Sequence, residues 1–207
     1  AYIHRLVEVM RRAYADRSAY LGDPDYYAVP VAEITDKKYA AALRAGIALD
    51  QAGASDKVQP GLELDPDSLL RAQPTADRES TETTHFSSWD RWGNVVSSTT
   101  TLNFGYGNGI SVTGGGFLMN NEMDDFSSKP NAPNVFNLLG GSANAIQPGK
   151  RPLSSMTPTL VFDNSGVPLL ATGSPGGSTI ITVVLQTVLN VLTFDMRIAE
   201  ASSVPRI

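Results

Sequence analysis

The first pattern along the chain is a helical repeat. Ile3, Leu6, Val7 and Met10 fall at i, i+3, i+4 and i+7, with Arg5, Arg11 and Arg12 on other faces, which predicts an amphipathic helix over about residues 2–15. After the turn-rich GDPDYYAVP, a second amphipathic helix is expected, capped by Thr35 or Asp36 and carried by KKYAAALRAGIAL. From Gln51 to Glu82 neither period develops, and the stretch is polar and rich in Pro and Asp. It reads as an exposed or mobile linker.

At Thr83 the pattern changes to short β-rich runs. Thr83 to Trp89, the turn DRWGN and Val95 to Leu102 predict a hairpin. Further strands are expected at Ile110 to Thr113, Gly116 to Met119, Pro158 to Phe162 and Pro168 to Thr172, the last pair joined by DNSG. Between them runs a long loop, Ser127 to Pro152, and loops of that length are commonly lids or disordered. The most apolar run, TIITVVLQTVLNVLTF from Thr179, is too short for a membrane span and contains Gln186 and Asn190, so a buried helix is expected. MRIAEA is helix-like. The expected class is α+β.

Composition narrows the function. The chain has 207 residues and is 42% hydrophobic, enough for one sizeable domain or parts of two. A net charge of −5, with 16 basic residues scattered among 21 acids, leaves no basic stripe for nucleic acid. The absence of cysteine removes disulfides, thiolate nucleophiles and sulfur-ligated zinc. With only His4 and His85, a metal would have to rest on carboxylates, and none is expected. The chain opens inside a helical pattern without Met and ends at VPRI without a cap, so it is expected to be an internal piece of a longer protein.

Four short segments carry possible chemistry. A threonine hydroxyl needs a base beside it, and its own α-amine, titrating at about 7.7–8.0, becomes one once the preceding peptide bond is cut. Thr83 stands where linker meets strand, although Thr83-Thr84 is also ordinary strand composition. In TGSPGGST, Gly176 and Gly177 open a helix, where backbone N–H groups suit an oxyanion hole; the alternative is a plain turn with Ser178 as the cap. No Lys follows the glycines, so this is not a phosphate-binding P-loop. The acids of NNEMDDF, Glu122, Asp124 and Asp125, could hold a calcium ion or an ammonium, or form a solvated turn. Ser154 and Ser155 could bind a carboxylate or serve as turn residues.

In order along the chain, AYADRSAYLGDPDY, TTHFS, TLN, NNEMDDFS, GKRPLSSMTPT and TGSPGGSTIITVVLQ resemble the γ-glutamyltranspeptidase family of N-terminal-nucleophile hydrolases. The resemblance implies an αββα sandwich of two stacked, mainly antiparallel sheets flanked by helices, present here in part. It also implies a precursor that cuts itself between Glu82 and Thr83. Residues 1–82 would then end a large subunit and 83–207 begin the small catalytic one, the two forming a heterodimer. Thr83 would be the nucleophile, with Thr101 poising its hydroxyl and the amides of Gly176 and Gly177 holding the oxyanion. Asn103, Glu122 and Asp125 would bind the substrate α-ammonium, and Ser154 and Ser155 its α-carboxylate.

The implied substrates are glutathione and other γ-glutamyl compounds. The acyl group would pass to water, amino acids or dipeptides, without a cofactor. Enzymes of this kind are periplasmic or secreted, or face outward from animal cells. Phe136 stands in the lid where lidded bacterial members often carry tyrosine, which implies looser lid closure. The family's carboxylate-binding arginine falls outside the chain, and so do the last strands of the small subunit, so this segment alone is expected to be unstable and inactive. Two other readings stay open: a cephalosporin or glutaryl acylase of the same superfamily, and a binding homologue without turnover. His85 shares the Thr83 face by alternation and reads as a packing or hydrogen-bonding residue.

Overall fold

The computed structural model describes residues 2–62, 82–127 and 140–207. The lid position Phe136 and linker positions 63–81 lie outside the described residues. Two compact units are interleaved along the chain: Ala1–Asp77 with Met123–Ser154, and Arg78–Glu122 with Ser155–Ile207.

In the first unit, helix α1 runs over Tyr2–Tyr20, α2 over Val31–Ile34 and α3 over Lys37–Ala45. Helix α1 is a full turn longer than the apolar repeat predicts, because its last turn is held by polar contacts. Asp16, buried, accepts hydrogen bonds from the Tyr39 hydroxyl and the Gly61 N–H, both at 2.8 Å. Tyr20, fully buried, donates to the Leu62 carbonyl at 2.6 Å. Further up, the buried Glu8 pairs with Arg12 at 2.6 Å and Arg11 at 2.7 Å and accepts the Gly53 N–H. The Arg12 hydrogen bond leads the effects that lower the Glu8 pKa, against the upward pull of burial. The apolar core of this unit includes Leu6, Ala15, Ala19, Phe126 and Ala143.

Asp36 caps α3, accepting the Lys38 N–H at 2.6 Å and the Tyr39 N–H at 3.4 Å. Thr35, the other expected cap, instead donates back to Val31 of α2. The described part of the linker, residues 51–62, is mostly exposed and contains a single 3₁₀ turn, Ser55–Lys57.

In the second unit, β1 (Thr84–Trp89) pairs antiparallel with β2 (Val95–Thr100), from Thr84 opposite Thr100 to Trp89 opposite Val95. Asp90 closes the turn by accepting the Trp92 and Asn94 N–H groups, both at 2.9 Å, with Gly93 at φ +88°. A second antiparallel hairpin joins β3 (Thr159–Phe162) to β4 (Pro168–Thr172), with an irregularity between Val161 and Phe162. Ser97 of β2 donates to the Thr172 carbonyl at 2.9 Å, and His85 of β1 lies so close to Gly173 that a Cβ there would stand 2.2 Å from the imidazole.

The strands expected at 110–113 and 116–119 reduce to one bridge, Ser111 opposite Leu118. Gly114 and Gly116, at φ +76° and +70°, turn the chain too soon for a ladder to grow. Helix α4 (Ile180–Leu192) and helix α5 (Ile198–Ser203) complete the unit. The expected buried helix is amphipathic in its burial: Ile180, Val184, Gln186 and Thr187 are inside, while Leu192 is 45% exposed. Ile180, at 2% exposure, contributes about 1.5–3 kcal/mol by leaving water. Gln186 is satisfied by the Ile207 backbone, donating to its oxygen at 2.6 Å and accepting its N–H at 3.0 Å.

Candidate active site

Thr83 lies one residue ahead of the β1 ladder and is buried. Its hydroxyl donates to the Thr101 Oγ1 at 3.2 Å across the open end of the hairpin. Thr101 Oγ1 also accepts the Asn103 N–H at 2.9 Å. One oxygen therefore fixes both the candidate nucleophile and the backbone of a candidate binding residue. In the continuous chain the Thr83 nitrogen is an amide and cannot accept a proton. His85 does not replace it, since its Nδ1 engages Thr99 Oγ1 at 2.8 Å and its Nε2 engages Ser87 Oγ at 3.1 Å. Burial lowers the His85 pKa from its ordinary value of 6.5.

Asn103 is 3% exposed and adopts φ +75°. That left-handed conformation is costly for most side chains, is tolerated best by Gly and Asn, and persists only where surroundings hold it. Asn121 does the holding. The Asn103 Nδ2 donates to the Asn121 carbonyl, the Phe104 N–H donates to the Asn121 Oδ1, and the Asn121 N–H donates to the Leu102 carbonyl, all at 3.1 Å. Sequence reasoning named Asn103 and passed over Asn121, whose signal was an asparagine pair set against acidic residues.

The acids Glu122 and Asp125 bound a single 3₁₀ turn, started by the Asn120 side chain accepting the Glu122 N–H at 3.0 Å. Glu122 Oε1 is buried with no hydrogen-bond partner among the described residues. A buried carboxylate oxygen left this way calls for a cation or donor from elsewhere. Among the described residues no group of three His, Cys, Asp or Glu is arranged to hold a metal ion.

Gly176 and Gly177 adopt φ +130° and +56°. The Gly176 carbonyl accepts from both the Thr179 N–H at 3.1 Å and its hydroxyl at 2.8 Å, so the peptide is turned and pinned. A Cβ on Gly176 would meet the Thr179 Oγ1 at 2.7 Å. The turn leads through Gly177–Thr179 into α4, and Thr179 makes no side-chain capping bond. It also follows β4 by way of Gly173, which touches His85 two residues beyond Thr83. Ser155 belongs to this unit too.

Asp125 and Ser154 belong to the first unit. There the buried Asn144 joins their segments: its Nδ2 donates to the Asp125 carbonyl at 2.7 Å, and its Oδ1 accepts the Leu153 N–H at 2.9 Å. The Arg17 guanidinium, buried at the end of α1, is pushed below its ordinary pKa by burial and pulled back up by Tyr14 and Asp125. Arg151 is fixed by Asp23, which accepts its backbone N–H at 2.8 Å and its Nε at 2.9 Å. Asp23 is accordingly held well below the usual carboxylate range, chiefly by the Arg151 side chain.

The family model described as γ-glutamyltranspeptidase matches residues 1–207. A glutathione hydrolase proenzyme of Escherichia coli is 47% identical over 97% of this chain and 32% of its own length. An acylase proenzyme from a Pseudomonas strain is 33% identical over 99% of the chain and 32% of its length. Among solved structures, a γ-glutamyltranspeptidase from Pseudomonas nitroreducens complexed with L-DON is 50% identical, covering 59% of this chain and 63% of its own, at a TM-score of 0.57. A cephalosporin acylase from Bacillus halodurans covers 99% of this chain and 32% of its own at a TM-score of 0.71 and 23% identity, a likeness of fold. The chain spans about a third of the length of the curated relatives it matches. A threonine at a hairpin mouth, a pinned diglycine turn and a family match over the whole chain agree: this chain belongs to the γ-glutamyltranspeptidase family.

Proposed function

We propose that this chain is the catalytic heart of an autoprocessing γ-glutamyltransferase and glutathione hydrolase, with Thr83 as nucleophile. The hydrogen bond from the Thr83 hydroxyl to Thr101 carries the reading, because it holds in place the hydroxyl that lies beside the Glu82–Thr83 peptide bond, whose loss would make Thr83 N-terminal. In the first reaction the Thr83 Oγ attacks the Glu82 carbonyl carbon, the C–N bond breaks as an ester forms, and water hydrolyses that ester. The products are the Glu82 carboxylate and a free Thr83 α-amine, which is the base the hydroxyl lacked.

Catalysis then repeats the chemistry on substrate. Thr83 Oγ attacks the γ-glutamyl amide carbon, the α-amine carries the proton to the leaving amine, and an acyl-enzyme remains. Water releases glutamate, or an amino acid or dipeptide takes the acyl group. The Gly176 and Gly177 amides are suited to the oxyanion, and one such donor is worth about 10²–10³ in rate. Glu122 and Asp125, with Asn103, are the partners for the α-ammonium, and the orphan Glu122 Oε1 supports this. Ser154 and Ser155 would take the α-carboxylate.

Glutathione is the donor suggested by the names of the relatives, and those names, as proenzymes, also support processing. Residues 1–82 and 83–207 would then belong to the two chains of a heterodimer. The solved transpeptidase chain covers 59% of this sequence, close to the 125 of 207 residues that follow Glu82. The completed fold would be the αββα sandwich, and the same reading puts the enzyme in the periplasm or outside the cell. Assay of the complete protein on γ-glutamyl and glutaryl anilides tests the reading. Preference for γ-glutamyl is expected, since a glutaryl group has no ammonium for Glu122; preference for glutaryl would make it an acylase.

A further inference from the structure

Resting on the reading that Asp125 and Ser154 hold opposite ends of the substrate's amino-acid head, we infer that Asn144 is the positioning residue that sets the distance between them. Three observations within the first unit carry this. Asn144 is 4% exposed and spends both halves of its side-chain amide on backbone, one on each binding segment. Nδ2 donates to the carbonyl of Asp125 itself at 2.7 Å, and Oδ1 accepts the N–H of Leu153, the residue before Ser154, at 2.9 Å. Its own carbonyl accepts the Ser127 N–H at 2.9 Å, closing the acidic turn from the other side.

Asn144 is itself anchored. It ends a 3₁₀ turn, Ser142–Asn144, in which its N–H donates to Gly141 at 3.2 Å, and the Gly141 N–H donates to Ser18 of α1 at 2.9 Å. Ala143 is fully buried, and its carbonyl lies so near Gly22 that a Cβ there would stand 2.1 Å away. Beyond Leu153 on the N-terminal side, Arg151 is pinned to Asp23. The turn is therefore a fixed point on α1 from which one amide reaches both segments.

An amide is the side chain this job requires, since it has a donor on one branch and an acceptor on the other. Aspartate keeps the acceptor and loses the donor, and leucine of similar size loses both. The consequence is a change in selectivity between substrates. An Asn144 variant shifts the grip on whichever end of the head group has lost its strut.

The test uses the complete parent protein with three anilides: γ-glutamyl, glutaryl (no ammonium) and 4-aminobutyryl (no carboxylate). For Asn144→Asp, KM for the γ-glutamyl anilide should rise about tenfold with kcat little changed, the loss of one buried hydrogen bond. The γ-glutamyl to glutaryl preference should fall by the same factor, and the preference over 4-aminobutyryl should stay. For Asn144→Leu both preferences should fall. Equal losses on all three anilides, unchanged preferences, or failure of both variants to accumulate as folded protein would make Asn144 a folding residue and overturn the inference. A parent that does not distinguish γ-glutamyl from glutaryl removes the head-group reading itself, and the inference falls with it.

Discussion

The β1–β2 hairpin and the loop segments 103–127 and 140–155 hold candidate site residues by different means. The hairpin uses the repeating ladder from Thr84–Thr100 to Trp89–Val95, which delivers Thr83 and Thr101 to its open end without any special side chain. The loops have almost no ladder and are shaped by asparagines: Asn121 around Asn103, Asn120 at the start of the acidic turn, Asn144 between Asp125 and Leu153. A nucleophile needs one position on a rigid element. A head group with two opposite charges needs several positions held apart, and amide side chains supply donors and acceptors where the backbone is irregular.

Damage to the hairpin mouth or the diglycine turn is expected to lower kcat, and damage to the loops to raise KM. The largest effect is expected from Gly176→Ala, where the added Cβ meets Thr179 and the φ of +130° is denied to alanine. Loss of the pinned amide should lower kcat by about 10²–10³, measured on the γ-glutamyl anilide in the complete protein. Thr101→Val removes the oxygen shared by Thr83 and Asn103 and should slow processing and turnover by about tenfold or more.

Next comes Asn121→Ala, which removes the Oδ1 that accepts the Phe104 N–H and should raise donor KM by about tenfold with a smaller change in kcat. Asn103→Gly sharpens the same point. Glycine keeps the left-handed backbone accessible while removing the amide side chain, and donor KM should rise.

The smallest effects are in the response to pH. The folded Asp23 pKa is depressed, so its stabilisation is fully present above the ordinary 3.8 and is lost as pH falls through the folded value. Asp23→Asn should remove that acid-sensitive component from thermal melts. The folded His85 pKa is also depressed, here by burial, so its contribution is present above 6.5 and declines as pH falls toward the folded value. Replacing His85 by Gln should flatten that slope without abolishing turnover, because both ring nitrogens face β-strand hydroxyls.

Periodic elements were legible in the sequence because their signal repeats. Runs of β-prone residues punctuated by turns marked β1, β2, β3 and β4, the apolar face marked α1, and Thr35 or Asp36 marked the start of α3. The end of α1 was not legible, since Asp16 and Arg17 look like helix-ending polar residues until Tyr39, Gly61 and the charge of Asp125 are brought to them by the fold. The expected strands around Ser111 and Leu118 failed because positive-φ glycines outweigh strand-like neighbours. Motif order pointed to Thr83, Asn103 and the diglycine turn as candidates. It did not point to Asn121 or Asn144, whose hydrogen-bond partners lie 18 or 19 residues away.

Whether Thr83 cuts its own chain is decided by the intact mass of the complete parent protein beside its Thr83→Ala variant. Two chains divided between Glu82 and Thr83 are expected in the parent and one uncut chain in the variant. A folded parent that stays whole, or a variant that is cut at the same bond, would contradict self-cleavage by Thr83.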